Sequence, residues 1–201
     1  MLEGPYDANT QMMSDELRAQ GYLSGVYDID NAILNITGAD AVVDVVTVEL
    51  RDRLDASSVL ASVDGILQSD GDLVDFDGIS PLTFDCLPEE EYYISLKHRN
   101  HLGIRTLFTS FLDRNGVTLD FSDNSVATYG TNAQLDINGV LALYAGDADN
   151  DGQINAADRS QTWNERNSTG FYNADVDLDG NVNAADRSKT WNNRNLTEQL
   201  F

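Results

Sequence analysis

One 21-residue segment occurs twice in this chain, and this duplication constrains the fold more than any other feature of the sequence. The first copy begins at Asp147 and the second at Asp175, and 15 of the 21 aligned positions are identical. Self-similarity of this kind marks a repeated supersecondary unit. Each copy begins with an Asp- and Asn-rich stretch that continues into a helix-compatible one. We therefore expect two tandem loop–helix units over residues 147–195.

Each copy carries oxygen-bearing side chains at positions 1, 3, 5, 9 and 12, a glycine at position 6 and an apolar residue at position 8. This spacing is typical of EF-hand-type calcium loops, because a hard cation needs about six to eight oxygen ligands and only a tightly curled loop directs that many inward. Position 7 contributes its backbone carbonyl. The predicted ligands of two calcium ions are Asp147, Asp149, Asp151, Gln153, Asn155 and Asp158 in the first loop, and Asp175, Asp177, Asp179, Asn181, Asn183 and Asp186 in the second.

The alternative interpretation is a pair of polar turns that bind no metal. Eight carboxylates in two small loops would repel one another unless a cation neutralised them, so the sequence favours calcium. Gly152 and Gly180 are expected at positive φ, where a side chain would be unfavourable. We also expect Ile154 and Val182 to pair between the loops as a short apolar bridge.

The duplicated segment resembles a dockerin module, including the Asp at position 12, and the resemblance covers roughly a quarter of the chain. It implies an extracellular protein that binds a cohesin partner through the helices just after each loop. The positions that would contact the partner are Ala156, Ala157 and Trp163 in the first copy, and Ala184, Ala185 and Trp191 in the second. From the residues themselves we expect both tryptophans to be buried, packing the repeats on each other or on the rest of the chain rather than binding sugar.

Residues 1–146 alternate short β-branched and aromatic stretches with Gly, Asp and Asn, which is typical of a β-sandwich or β-barrel-like domain. One short helix is expected over Ser14–Gly21, where acidic residues follow a serine and a glycine ends the segment. The predicted fold is mainly β, with this domain followed by a dockerin-like calcium module over 147–201. The predicted strands are Val42–Leu50, Ser58–Gln68, Leu73–Phe76, Leu82–Leu87, Glu91–Arg99, Ile104–Phe111, Val117–Phe121 and Val140–Tyr144.

Three segments of this first part resemble a β-domain found before dockerin-like repeats in large secreted bacterial surface proteins. They are Leu2–Asp7, Val45–Asp52 and Lys97–Gly103. The resemblance implies an extracellular or cell-surface location and names no activity.

The chain has 34 acidic and 12 basic residues among 201, so its formal net charge is −22. That charge repels phosphates and anionic headgroups, so the composition argues against nucleic-acid binding and membrane-surface roles. No apolar run approaches the roughly 20 residues of a membrane span. The single cysteine, Cys86, excludes an intrachain disulfide and is expected to be a small buried hydrophobe.

The sequence contains no nucleophile motif, phosphate loop or zinc-protease motif, so no enzyme is predicted. The cationic stretch Lys97–His101 is interpreted as structural, its histidines pairing with local carboxylates, with a transition-metal pair as the alternative. The acidic stretch Asp70–Gly78 is interpreted as a solvated hairpin edge rather than a further calcium site.

The main functional hypothesis is a non-enzymatic, calcium-stiffened extracellular subunit that assembles with copies of itself or binds a surface partner. Its N-terminal segment has no hairpin partner nearby in the sequence, and an extended segment can complete the sheet of a neighbour, which would yield fibrils. The predicted assembly residues are Met1, Leu2, Glu3, Gly4, Pro5 and Tyr6. Pairing within the same chain is an equal possibility. The alternatives are a dockerin-type adaptor that binds a cohesin-like protein and a carbohydrate-binding module.

Overall fold

The structure, a computed structural model, describes residues 1–85 and 87–201. In chain order the described elements are β1 (Tyr6–Asp7), β2 (Met12–Met13), α1 (Glu16–Ala19), α2 (Asn31–Leu34), β3 (Val42–Asp52), β4 (Val59–Gln68), β5 (Leu73–Val74), β6 (Glu90–His98), β7 (His101–Arg105), β8 (Ser110–Leu112), β9 (Leu135–Ile137), β10 (Val140–Ala142), α3 (Ala156–Asn164) and α4 (Ala184–Asn192). Six of the strands form one antiparallel sheet in the order β5-β4-β3-β6-β7, with β8 also paired to β6. The predicted mainly β fold with a C-terminal loop–helix module is confirmed.

Strand β3 is the centre of the sheet because its valine-rich sequence suits a pleated, buried surface. It pairs with β4 on one side and with β6 on the other. Its first half, from Val42 to Val46, joins a core that includes Leu23, Ile66 and Ile104, while Val48 and Leu50 pack with Tyr92 and Ile94 in a second cluster. The sheet therefore has apolar packing along the whole length of its central strand.

The predicted strands differ from the observed ones at three places. The segment predicted as Ile104–Phe111 is divided into β7 and β8, which pair with successive parts of β6. Val117–Phe121 is not a strand, and its end is a turn in which the Asp120 carboxylate accepts from the Ser122 backbone N–H at 2.7 Å. The described residues of Leu82–Leu87 are not in a strand either, and prolines, which lack the N–H needed for a ladder, flank that segment. Cys86, with its predicted burial, lies outside the described residues.

The N-terminal segment does have partners in its own chain, so the expectation that it lacks a hairpin partner is wrong. Strand β1 pairs with β2, with Tyr6 opposite Met13. Upstream, Leu2 forms a parallel bridge with Leu143, and the Glu3 backbone N–H donates to the Leu143 carbonyl at 3.0 Å. The two-residue β1 and β2 are too short to produce a strand pattern that the sequence could reveal.

The two C-terminal helices, α3 and α4, are each nine residues long and pack on each other. Beyond α4 the chain returns to the sheet, where Gln199 forms a parallel bridge with Ile104 and Leu200 is buried. The Arg105 guanidinium donates to the Leu200 carbonyl. The free edge of β7 is thus covered by the end of the chain. In the described residues, none of the helices has the length and apolar character needed to cross a bilayer.

Candidate metal centres in the duplicated loops

Each duplicated loop gathers three carboxylates around one point. In the first loop Asp147, Asp149 and Asp151 each place one oxygen so that all three lie within 4.8 Å of one another. In the second loop the corresponding set is Asp175, Asp177 and Asp186. Oxygens bound to one calcium ion lie about 2.3–2.6 Å from it, so two of them are at most about 5 Å apart, and each cluster is compact enough for its oxygens to share one ion.

Backbone hydrogen bonds curl the two loops in the same way. The Asp147 carboxylate accepts from the backbone N–H groups of Asp151 and Gly152, both at 3.0 Å. In the second loop the Asp175 carboxylate accepts from the same two positions at 3.1 and 2.9 Å. The glycine at position 6 has φ of +82° in the first loop and +80° in the second, as expected from the sequence.

The end of each loop is also the start of a helix. The position-12 carboxylate of Asp158 accepts from the backbone N–H of Asn155 at 2.7 Å, and the Asn155 side chain accepts from the Ala157 N–H at 2.7 Å. This is a capping box, which satisfies backbone donors at the first turn of α3. Asn183 and Asp186 form the same box at α4. The Asp at position 12 therefore joins the loop to its helix.

Burial makes these carboxylates costly to ionise without a cation. Burial is the largest cause that raises the pKa of Asp147 to about 7, of Asp175 to about 8 and of Asp177 to about 7, and neighbouring carboxylates add to each rise. The pKa values of Asp158 and Asp186 are raised for the same first reason.

The donor set fits calcium. One carboxylate oxygen of Asp177, Oδ1, is buried and accepts no hydrogen bond from any described residue. An orphaned buried oxygen beside two further carboxylates is what a bound cation would neutralise. All of the gathered side-chain atoms are oxygens, the donors that calcium prefers, so the described residues fit two calcium ions.

The predicted apolar pairing of Ile154 and Val182 stays a prediction, and the backbones of both residues bond to other segments. The Ile154 N–H donates to the Leu196 carbonyl at 2.9 Å, and the Val182 N–H donates to the Ser168 carbonyl at 2.9 Å. Each loop is therefore paired with the segment that follows the helix of the other repeat. Both apolar side chains are nevertheless buried, at 0 and 1% exposure. This exchange interlocks the two repeats, which sequence spacing alone did not reveal.

The two tryptophans are half exposed, at 50% for Trp163 and 48% for Trp191, so the prediction that they are core residues is wrong. Arginine side chains cover them instead. Arg166 lies 4.3 Å from the Trp163 ring centroid within the first repeat, and Arg187 of the other repeat lies 5.2 Å from it. The Trp191 ring has the same arrangement. Arg194 of its own repeat lies 4.3 Å from the ring centroid, and Arg159 of the other repeat lies 4.9 Å from it. We name this surface the Arg–Trp face, which comprises Arg159, Trp163, Arg166, Arg187, Trp191 and Arg194.

In the cationic stretch Lys97–His101, His98 lies beside a local carboxylate, as predicted, whereas His101 contacts a backbone carbonyl instead. Asp44 is fully buried, with the Arg99 Nε donating to its carboxylate at 2.8 Å and the His98 Nε2 lying 3.2 Å from it. Burial alone would raise the pKa of Asp44, but Arg99 and His98 outweigh it and hold that pKa below its usual range. The ring Nε2 of His101 lies 2.8 Å from the Glu3 carbonyl oxygen. His98 thus lies beside β3 within the sheet, and His101 connects the sheet to the N-terminal segment.

The remaining acidic stretch, Asp70–Gly78, brings no group of three ligands within 4.8 Å in the part of the chain that the structure describes. Sequence reasoning missed a different residue of the second loop. Leu178, at position 4, has φ of +58° and is buried in the main core. The signal for its burial was present in the sequence, because position 4 is an apolar leucine in the second loop and a polar asparagine, Asn150, in the first.

No protein-family model matches the sequence, and no curated protein matches it significantly. Among solved structures, the chain is similar to one chain of the crystal structure of a type II cohesin–X-dockerin complex, an N-terminal interface mutant, from Acetivibrio cellulolyticus. The similarity has 16% sequence identity and a TM-score of 0.41, and it covers 76% of this chain and 82% of that chain. The assignment of the metal centres rests on the loop geometry itself. The two acidic clusters and the two C-terminal helices resemble the calcium loops and helices of dockerin modules.

Proposed function

We propose that this chain is a non-enzymatic extracellular docking protein that binds two calcium ions and presents α3 and α4 to a cohesin-like protein partner. The observation that carries the proposal is the Arg–Trp face. Large aromatic side chains held half exposed in a matched pair have no role in a core, and Trp and Arg are the residues most enriched where protein partners are bound tightly.

Calcium would act by holding the two helices in place. Each helix begins at position 10 of its loop, so the loop ligands determine where the helix starts and how it is oriented. The two repeats are interlocked by the exchanged backbone pairs of Ile154 and Val182. An ion in each loop would therefore make both halves of the Arg–Trp face rigid before a partner arrives, which reduces the entropy lost on binding.

The charge of the face indicates the chemistry of its partner. Four of the 12 basic residues in the chain lie on this one surface, although the net charge of the chain is −22. Such a local reversal of sign would attract an acidic protein surface and repel a basic one. The guanidinium groups lie over the indole rings that a sugar would need for stacking, which argues against the carbohydrate-binding alternative.

The test is a binding measurement with the cohesin domain of the A. cellulolyticus complex as the immobilised probe, in calcium and in EDTA. We expect binding in calcium that is lost in EDTA and weakened at least about tenfold by the double variant Trp163→Ala/Trp191→Ala. Phe108→Ala, which truncates a more exposed aromatic residue on the β-domain, is the control and should bind normally. Absence of binding by the unaltered chain contradicts a cohesin-like partner, and full binding by the double variant excludes the Arg–Trp face.

Self-assembly through Met1–Tyr6 stays a prediction. Donation of this segment to a neighbour would first have to release Leu2 from the core. It would also break the 3.0 Å hydrogen bond that the Ala145 backbone N–H donates to the Glu3 carboxylate. Sizing and electron microscopy of the chain with and without Met1–Tyr6 test it. Filaments that disappear on deletion would support donation, and a monomer in the intact chain would contradict it.

A further inference from the structure

Asn100 occupies an unusual place for a polar residue. It lies between β6 and β7, in the two-residue turn that connects the paired His98 and His101. Hairpin turns normally lie at the surface. Asn100, by contrast, is fully buried, because the C-terminal module is packed over the tip of this hairpin.

The hydrogen bonds of Asn100 toward the module end at the first residue of each loop and at a residue one or two positions before it. Its backbone carbonyl accepts from the N–H groups of Gly146 and Asp147, at 3.0 and 3.2 Å. Its side-chain amide donates to the carbonyls of Asn173 and Asp175, at 2.9 and 2.7 Å. Asp147 and Asp175 are the position-1 residues of the two loops, so one residue of the β-domain holds the equivalent point of both.

The chemistry of this contact is specific to asparagine. A primary amide has two N–H donors, and here both are used on two carbonyl oxygens that are otherwise enclosed. An aspartate would place carboxylate oxygens against those carbonyls, and an alanine would leave them without a donor. The first-loop contact is different, because it uses the main chain and survives a change of side chain.

We propose that Asn100 is a positioning residue for both calcium sites, acting on the first loop through its carbonyl and on the second through its carboxamide. The inference rests on the proposed calcium binding of the two loops. Residues that orient metal ligands from outside the coordination shell commonly change metal affinity by about 10- to 100-fold when they are altered. Since Asn100→Ala removes only the carboxamide, its effect should be confined largely to the second loop.

The test measures calcium affinity one loop at a time by isothermal titration calorimetry on the full chain. Asp149→Ala disables the first loop and leaves the second to be measured, while Asp177→Ala does the reverse. Adding Asn100→Ala should weaken the second loop at least about tenfold and the first loop less than about threefold. Asn124→Ala, at an exposed position of the β-domain, is the control and should alter neither affinity.

The two-background design separates positioning from general damage. A loss of the fold would weaken both loops alike, so equal losses in the two backgrounds overturn the inference, as does an unchanged second loop. If the unaltered chain binds no calcium at all, the proposed calcium function fails instead.

Discussion

Three loop carboxylates, those of Asp147, Asp175 and Asp177, combine burial with repulsion from neighbouring carboxylates. Their pKa values are raised to about 7 or 8. An unfolded aspartate has a pKa near 3.9. Without calcium, the folded state thus binds more protons than the unfolded state between about pH 4 and pH 8, and the stability that this contributes decreases as the pH rises through that window.

Calcium needs these groups ionised, so protons compete with the ion below about pH 7 to 8. We expect the increase in melting temperature caused by calcium to be small near pH 5 and to grow up to pH 8. The pKa values of His98 and His101 are lowered by burial, and both side chains are present with and without the ion, so their effect cancels in this difference. Calorimetry in buffers of different ionisation enthalpy should also show proton release on calcium binding near pH 7. A calcium effect that does not change with pH would contradict the raised pKa values.

Leu178 shows how a residue can be both strained and stabilising. Its left-handed backbone costs a leucine roughly 1–2 kcal/mol, while burial of the side chain contributes roughly 1.5–3 kcal/mol. The burial outweighs the strain only because the second loop lies against the main core. The equivalent Asn150 is exposed and has nearly the same φ, +57°.

We expect Leu178→Ala to lower the free energy of unfolding by about 2–5 kcal/mol, since it leaves a cavity without relieving the backbone. Asn150→Ala, the matched change in the first loop, should cost about 1 kcal/mol. Urea denaturation of both variants measures the difference. Equal losses would mean that the second loop is not held to the core by this side chain.

At the scale of elements, α3 and α4 are helices that derive little stability from a buried apolar face. The buried residues are Asp158 and Thr162 in α3, and Asp186 and Thr190 in α4. All four are polar, and the aspartates cap the first turn of each helix. The exposed surface of both helices is occupied by the Arg–Trp face. Cation–π contacts of this exposed kind contribute only about 0.5–1 kcal/mol each.

Each indole has two such contacts, so Trp163→Ala and Trp191→Ala should each lower the free energy of unfolding by about 1–2 kcal/mol. Truncation of a core tryptophan costs about 3–5 kcal/mol, so a loss in that range would restore the prediction that these residues are buried. Chemical denaturation in saturating calcium gives the values, with Phe108→Ala as the comparison for an exposed aromatic residue.

At the scale of the molecule, the loops and the β-domain are joined by several independent contacts. The N-terminal segment lies against the second loop, where a Cβ on Gly4 would come 2.8 Å from the Asp177 Cα. The chain end lies along β7, and Lys97 forms an ion pair of 3.1 Å with Glu198. Because the contacts come from both ends of the chain and from the β6–β7 hairpin, unfolding of the module should expose the core of the sheet.

We expect calcium to raise the stability of the whole chain as one unit. An ion present at about 1,000 times its dissociation constant adds about 4 kcal/mol per site, which corresponds to millimolar calcium acting on a site of micromolar affinity. Differential scanning calorimetry should show a single transition that moves to lower temperature in EDTA. Two transitions, of which only one responds to EDTA, would show that the β-domain unfolds independently, and an unchanged scan would contradict calcium binding.

The sequence by itself predicted the two Asp-rich loops, because their glycines and helix starts are set by spacing within 12 consecutive residues. It also determined the long strands β3, β4 and β6, whose apolar content is strong enough to indicate a sheet without knowledge of partners. The short N-terminal pair, the cover on β7 and the exchanged pairing of the two repeats were decided only by tertiary structure. The cover on β7 and the exchanged pairing join residues far apart in the chain, such as Ile104 with Gln199 and Ile154 with Leu196. Strands β1 and β2 are close in sequence, but at two residues each they are too short to show a strand pattern. The exposure of the tryptophans was decided in the same way, because a repeat shows that two positions are equivalent but not whether they face a core or the solvent.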